Sequence, residues 1–132
     1  MQVYIGGANN GKRSYVRQLV VEREVQWIEC ADNKDLPKAN AQTIVLAGVE
    51  AFVEHHINSP EERVIQDFMK TLNTYRAQSD VIVIVTENGR GIVPIEAETR
   101  ELRDRCGRLC QQIFKEATNV TRIWYGLTES LK

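Results

Sequence analysis

Apolar positions along the chain follow two periods. Short β-prone runs occupy residues 2–5, 25–28, 43–46, 81–85 and 121–125. Between them, apolar residues recur every three or four positions, as on one face of a helix. Val16, Leu19 and Val20 mark such a face within residues 14–23. Val49, Phe52, Val53, His56 and Ile57 mark a second after Gly48. Val64, Ile65, Phe68, Met69, Leu72 and Tyr75 form a clean stripe after Pro60, and Leu102, Cys106, Leu109, Cys110, Ile113 and Phe114 form another near the end. The run VIVIV at 81–85 has no polar alternation, which predicts a strand buried on both faces. Strands alternating with helices predict an α/β fold: a mostly parallel sheet of about five strands, helices on both faces, one domain over 1–132. Such sheets bind ligands beyond the carboxyl ends of their strands. That rule selects the loops at 6–13, 29–35, 47–50 and 86–94.

The first of these loops carries chemistry. GGANNGKR follows a strand and opens a helix, and it matches G-x-x-x-x-G-K-[ST] at Gly6, Gly11 and Lys12. Glycines let backbone N–H groups turn around phosphate oxygens. The lysine supplies a point charge, and the helix N-terminus adds a partial one. Gly6, Gly7, Ala8, Asn9, Asn10, Gly11, Lys12, Arg13 and Ser14 are therefore the candidate nucleotide-binding residues. Arg13 breaks the motif, because the residue after the lysine normally offers a hydroxyl to Mg2+. Ser14 is no simple substitute, since the next helical residue is turned by about 100°. Either Arg13 swings away and water completes the metal shell, or the site binds phosphate with little or no metal and Arg13 contacts the anion. Mg2+ is thus a weakened expectation.

Composition narrows the class. The 132 residues are 42% apolar and 27% charged with a formal net charge of −1, so no global basic field recruits nucleic acid. The N-terminus reads as a strand rather than a secretion signal, and no apolar stretch is long enough to span a bilayer, which predicts a cytoplasmic protein. Cys30, Cys106 and Cys110 make no disulfide framework and lack further ligands at zinc spacing, so they read as reduced structural thiols.

Three stretches together, GGANNGK, VTENGRGIVP and LRDRCGRLCQQIF, resemble the adenosylcobinamide kinase/adenosylcobinamide-phosphate guanylyltransferase family. Thr86, Gly91, Ile92, Val93 and Pro94 match that family's V-T-N-E-V-G-x-G-I-V-P, with one residue fewer; Glu87 and Asn88 stand at its N-E pair. Arg103, Asp104, Gly107 and Arg108, with Gln111 or Gln112, match R-D-x-x-G-R-x-N-Q. The resemblance implies a P-loop nucleotide-binding fold, ATP or GTP as cofactor, and phosphorylation of a corrinoid hydroxyl. It also implies GMP transfer through a covalent histidine, and a homo-oligomer with sites near subunit boundaries.

The departures shape the expected chemistry. The segment ADNKDLPKANAQ stands where the family carries its guanylylated histidine, and it contains no histidine. His55 and His56 lie elsewhere; His56 reads as a packed core residue and His55 as solvated. Ala47 and Gly48 stand where an acid would hold Mg2+, leaving Glu87 as the better metal or catalytic candidate, with Glu50 and Glu29 behind it. Lys12 and Glu87 are the catalytic candidates, and Arg90 and Gly91 the candidate substrate contacts. Asp104 and Arg108 are spaced to pair on one helical face. Gly107, inside a helix where glycine costs about 1 kcal/mol against alanine, predicts close backbone packing, with another subunit a candidate partner. The function expected is nucleotide binding with phosphoryl transfer. The alternatives are a nucleotide binder without turnover and, more weakly, an interaction module of the same fold.

Overall fold

A computed structural model describes residues 1–7, 11–87 and 96–132. Six strands form one sheet: β1 (Gln2–Gly6), β2 (Val25–Glu29), β3 (Thr43–Ala47), β4 (Asp80–Thr86), β5 (Asn119–Trp124) and β6 (Leu127–Ser130). Their spatial order is β2-β3-β4-β1-β5-β6. The first five are parallel, and β6 pairs antiparallel with β5. Helices α1 (Lys12–Leu19), α2 (Val49–His55), α3 (Glu61–Gln78) and α4 (Ala97–Glu116) cover the sheet. The fold is the α/β P-loop fold that the alternating pattern and motif predict.

The chain leaves β1 for the far edge at β2, steps back through β3 to β4, and then crosses β1 to reach β5. That reversal opens a crevice over the carboxyl end of β1, the usual ligand position in such sheets. The two faces are unequally covered. Val81, Val83 and Val85 face the larger core, with Phe68, Leu72, Leu109 and Ile113 from α3 and α4. Ile82 and Ile84 face a smaller one, with Val16 of α1 and Val20 just after it. Both sides of β4 are therefore buried, as its unbroken apolar run predicts.

Three elements differ from the sequence pattern. The first helix, expected over 14–23, is Lys12–Leu19. Gly11 sits in the left-handed region at φ 77°, which starts the helix early and turns Lys12 and Val16 inward, leaving Leu19 38% exposed. The helix after Gly48 ends at His55, so Ile57 lies beyond it. The last strand, expected over 121–125, begins at Asn119 and turns back through Tyr125 (φ 48°) and Gly126 (φ 77°). Two consecutive positive φ values match the twist of a two-residue hairpin. The resulting β6 is exposed along its whole length, so it left no apolar alternation in the sequence. Among the described residues, no helix is long and apolar enough to cross a membrane.

Candidate functional site

The phosphate loop hangs from the end of β1, and packing dictates its first glycine. A Cβ on Gly6 would lie 2.6 Å from the Ile123 carbonyl oxygen and 3.2 Å from Lys12 Cγ. Gly11 is required for a different reason, its left-handed φ, since the space beside it is open. Lys12 then enters the fold at 2% exposure and donates from Nζ to the Gly7 carbonyl at 2.7 Å. Burial pushes its pKa down, the neighbouring Arg13 charge adds to that, and Glu50 pulls the other way. A buried ammonium held by its own loop's carbonyl is costly in the absence of a counter-charge. The arrangement is suited to an incoming anion. Ala8, Asn9 and Asn10 lie outside the described residues.

Arg13 turns to a neighbouring carboxylate. Its Nε donates to Glu29 Oε1 at 2.9 Å and its Nη2 to Glu29 Oε2 at 3.2 Å. Trp27 Nε1 donates to the same Oε1 at 3.0 Å. These bonds, that from Arg13 foremost, hold the Glu29 carboxyl below its ordinary value. Ser14 diverges from this pair, as helical geometry requires, and lines a groove on the β5 side with Tyr15, Gln18 and Ile123.

Glu87, at the end of β4, donates its backbone N–H to the Gly6 carbonyl at 2.7 Å, tying the two loops together. Its carboxylate accepts from Arg122 Nη2 at 2.9 Å. Arg122 is a site cation that the sequence reading missed. It belongs to no motif, and only the register that sets it opposite Ile5 brings it there. Its Nε is buried without a partner among the described residues.

On the α2–α4 side, a pocket of about 470 Å3 opens beside Glu87. Glu50, Glu87 and Val85 form one wall, and Arg103, Cys106 and Gly107 of α4 the other. Within the chain, no close packing forms at Gly107: a Cβ there would meet nothing within 4 Å among the described residues. The pairing expected between Asp104 and Arg108 is also replaced. Arg108 makes two bonds of 2.6 and 2.7 Å to Glu61 across to α3, while Asp104 accepts from its neighbour Arg103. The shorter reach across the helix pair wins over the in-helix spacing. Arg90 and Gly91, and the Asn88 and Ile92 to Pro94 positions matched to the family motif, lie outside the described residues.

The histidines hold structure together. His56 is half-buried against Phe52, with ring centroids 4.6 Å apart, and its Nε2–H donates to the Lys34 carbonyl at 2.8 Å. His55 is exposed yet donates from Nε2–H to the Ala31 carbonyl at 3.1 Å. Together they fasten α2 to the segment after β2. Cys30 and Cys106 are buried and Cys110 half-buried; burial pushes all three thiols up to about 12. Among the described residues, no cluster of three or more metal-ligating side chains forms.

The family described as cobinamide kinase / cobinamide phosphate guanyltransferase matches residues 12–131. The chain belongs to this family. The match begins at Lys12, so Gly6 and Gly11 are read from their own geometry rather than from it. The comparison with curated proteins returned no match. A solution structure of a protein from Neisseria meningitidis is similar at 15% identity, covering 82% of this chain and 73% of that one, with a TM-score of 0.31. So low a score carries no argument. This chain carries the Arg13–Glu29 pair, and its segment between β2 and β3 contains no histidine.

Proposed function

We propose that residues 6–14 bind the phosphates of ATP or GTP and that the chain carries out the kinase half of its family's chemistry. The observation that carries this reading is Lys12: a buried ammonium, closed onto the Gly7 carbonyl, in a loop whose glycines are dictated by contact and by φ. Phosphate oxygens would take the place of that carbonyl. The acceptor, a corrinoid hydroxyl by family membership, would enter the pocket between β4 and α4. Its oxygen forms the new bond to the terminal phosphorus, and the bond to the leaving diphosphate breaks. Phosphoryl transfer needs positioning and charge neutralisation more than covalent help. Glu50 is better placed than Glu87 to take the acceptor's proton. It lines the pocket and its charge is felt by Lys12, whereas Glu87 is paired with Arg122. The guanylyl-transfer half is disfavoured, because residues 31–42 contain no histidine and His55 and His56 are tied to the Ala31 and Lys34 carbonyls.

The remaining parts of the reading follow the same family logic. Residues 1–132 form one domain around one sheet, and the protein works in the cytoplasm. Exposed Leu19, Trp124, Tyr125 and Leu127 favour a homo-oligomer that covers the β5–β6 edge. A second reading, nucleotide binding without turnover, is favoured by Arg13, which takes the motif position that usually offers a hydroxyl to metal and is engaged by Glu29.

Calorimetric titration with ATP and GTP, followed by a phosphorylation assay on adenosylcobinamide, tests both. The kinase reading expects binding and phosphate transfer; binding without transfer selects the second reading. Lys12→Ala removes a charge-assisted contact of about 1.5–3 kcal/mol, so nucleotide affinity falls at least tenfold. If neither nucleotide binds the wild-type protein, the nucleotide reading is wrong.

A further inference from the structure

The family's chemistry implies Mg2+, and the residues around this loop do not fit it. A P-loop metal is ordinarily held by the hydroxyl after the lysine and by a strand-end carboxylate. Arg13 has no acceptor atom at all. The adjacent carboxylate, Glu29, is already engaged on both oxygens, by Arg13 on each and by Trp27 on one. The end of β3 offers Ala47 and then Gly48, whose φ of 76° disfavours any side chain. A Cβ on Gly48 would lie 3.5 Å from Glu29 Oε2 and 3.6 Å from Arg13 Nη2. The ion pair therefore borders the space into which a side chain at this position would project. Glu87, the acid at the end of β4, is held by Arg122.

What the metal usually supplies is a fixed positive charge against polyphosphate. Arginine supplies such a charge at every working pH, on a planar group matched to phosphate oxygens. Here Glu29 fixes its orientation through two of its N–H donors, and the group carries others for a ligand. Its charge already reaches Lys12, whose pKa it helps to lower. With 35% of the Arg13 side chain exposed, the pair is reachable from solvent rather than sealed in the core.

We infer that the loop takes its nucleotide as the metal-free polyphosphate, with the Arg13 guanidinium, braced by Glu29, standing where Mg2+ stands in related sites. This rests on the nucleotide reading above and deepens it. Free nucleotide carries more negative charge than its Mg2+ complex, so added Mg2+ competes with Lys12 and Arg13 rather than assisting them.

The test is calorimetric titration of the full chain with ATP and GTP, in EDTA and in excess Mg2+. The expected result is a Kd in EDTA equal to or tighter than that in Mg2+. Binding at least tenfold tighter with Mg2+ overturns the inference and leaves the nucleotide reading standing. No binding under either condition removes both. Two variants sharpen the assignment. Arg13→Ser, which restores the hydroxyl, should weaken binding in EDTA and reverse the Mg2+ effect to a gain. Glu29→Gln keeps Arg13 but loosens its brace, so affinity should fall in EDTA without Mg2+ restoring it. An Arg13→Ser protein that folds, by its circular dichroism and melting curve, and binds as tightly in EDTA as wild type also overturns the proposal.

Discussion

The two sides of the crevice use glycine for opposite reasons. On the phosphate-loop side, Gly6 is forced: any Cβ would press against the Ile123 backbone and the Lys12 stem. On the pocket side, Gly107 sits in mid-helix with open space around its missing side chain. The first glycine is explained by the fold around it. The second weakens its own helix with no packing return among the described residues, and it borders the pocket proposed for the acceptor. The same residue type thus marks a wall on one side and a vacancy on the other.

The sharpest way to break this comparison is to add one methyl group to each glycine. Gly6→Ala should destabilise the protein by about 1–3 kcal/mol, the usual cost of overpacking, because a backbone carbonyl is the clashing atom. Gly107→Ala should do the reverse and stabilise by up to about 1 kcal/mol, the helix-propensity difference. Denaturant melts read both, and a loss of stability at Gly107 would show that its space is already in use. A larger probe, Gly107→Leu, should then raise the KM for the acceptor while leaving nucleotide Kd unchanged. If nucleotide affinity falls equally, the two sides are not separate sites.

A smaller effect separates the sides by pH. Glu29 has its carboxyl pKa held below the ordinary 4.5 in the folded state, chiefly by Arg13. Its stabilising contribution is therefore complete above pH 4.5 and is lost as pH falls through the folded value. Glu29→Gln should flatten that part of the acid-denaturation curve. An unchanged acid limb would mean that the Arg13–Glu29 pair contributes nothing to folding. The smallest expected signal is at the cysteines. With thiols pushed up to about 12 by burial, Cys30, Cys106 and Cys110 should react slowly with iodoacetamide at neutral pH. Rapid labelling of the native protein would place a thiolate in the pocket.

Much of the fold was legible because the signals are local. VIVIV can be buried on both faces only as an inner strand, and GGANNGK after a strand is a turn into a helix. The β6 strand was not legible, because an edge strand exposed on both faces needs no alternation, and its turn at Tyr125 and Gly126 became evident only with its backbone angles. The Asp104–Arg108 pairing failed for a related reason. Spacing along a helix gives a possible partner, but Glu61 on α3 lies closer to Arg108 than its own helical neighbour.

By itself, the sequence determined the alternation of strands and helices, the position of the loop at Gly6, Gly11 and Lys12, the oddity of Arg13, and the lack of histidine in residues 31–42. Those are facts of residue type and short spacing, which the chain carries wherever it folds. Tertiary structure decided what each charge does. Arg13 meets Glu29 because β2 ends beside the start of α1, and Arg122 meets Glu87 because β4 and β5 flank β1. Charges act at a few ångströms whatever their separation along the chain. Only the assembled sheet could bring the residue that breaks the motif into an ion pair with Glu29.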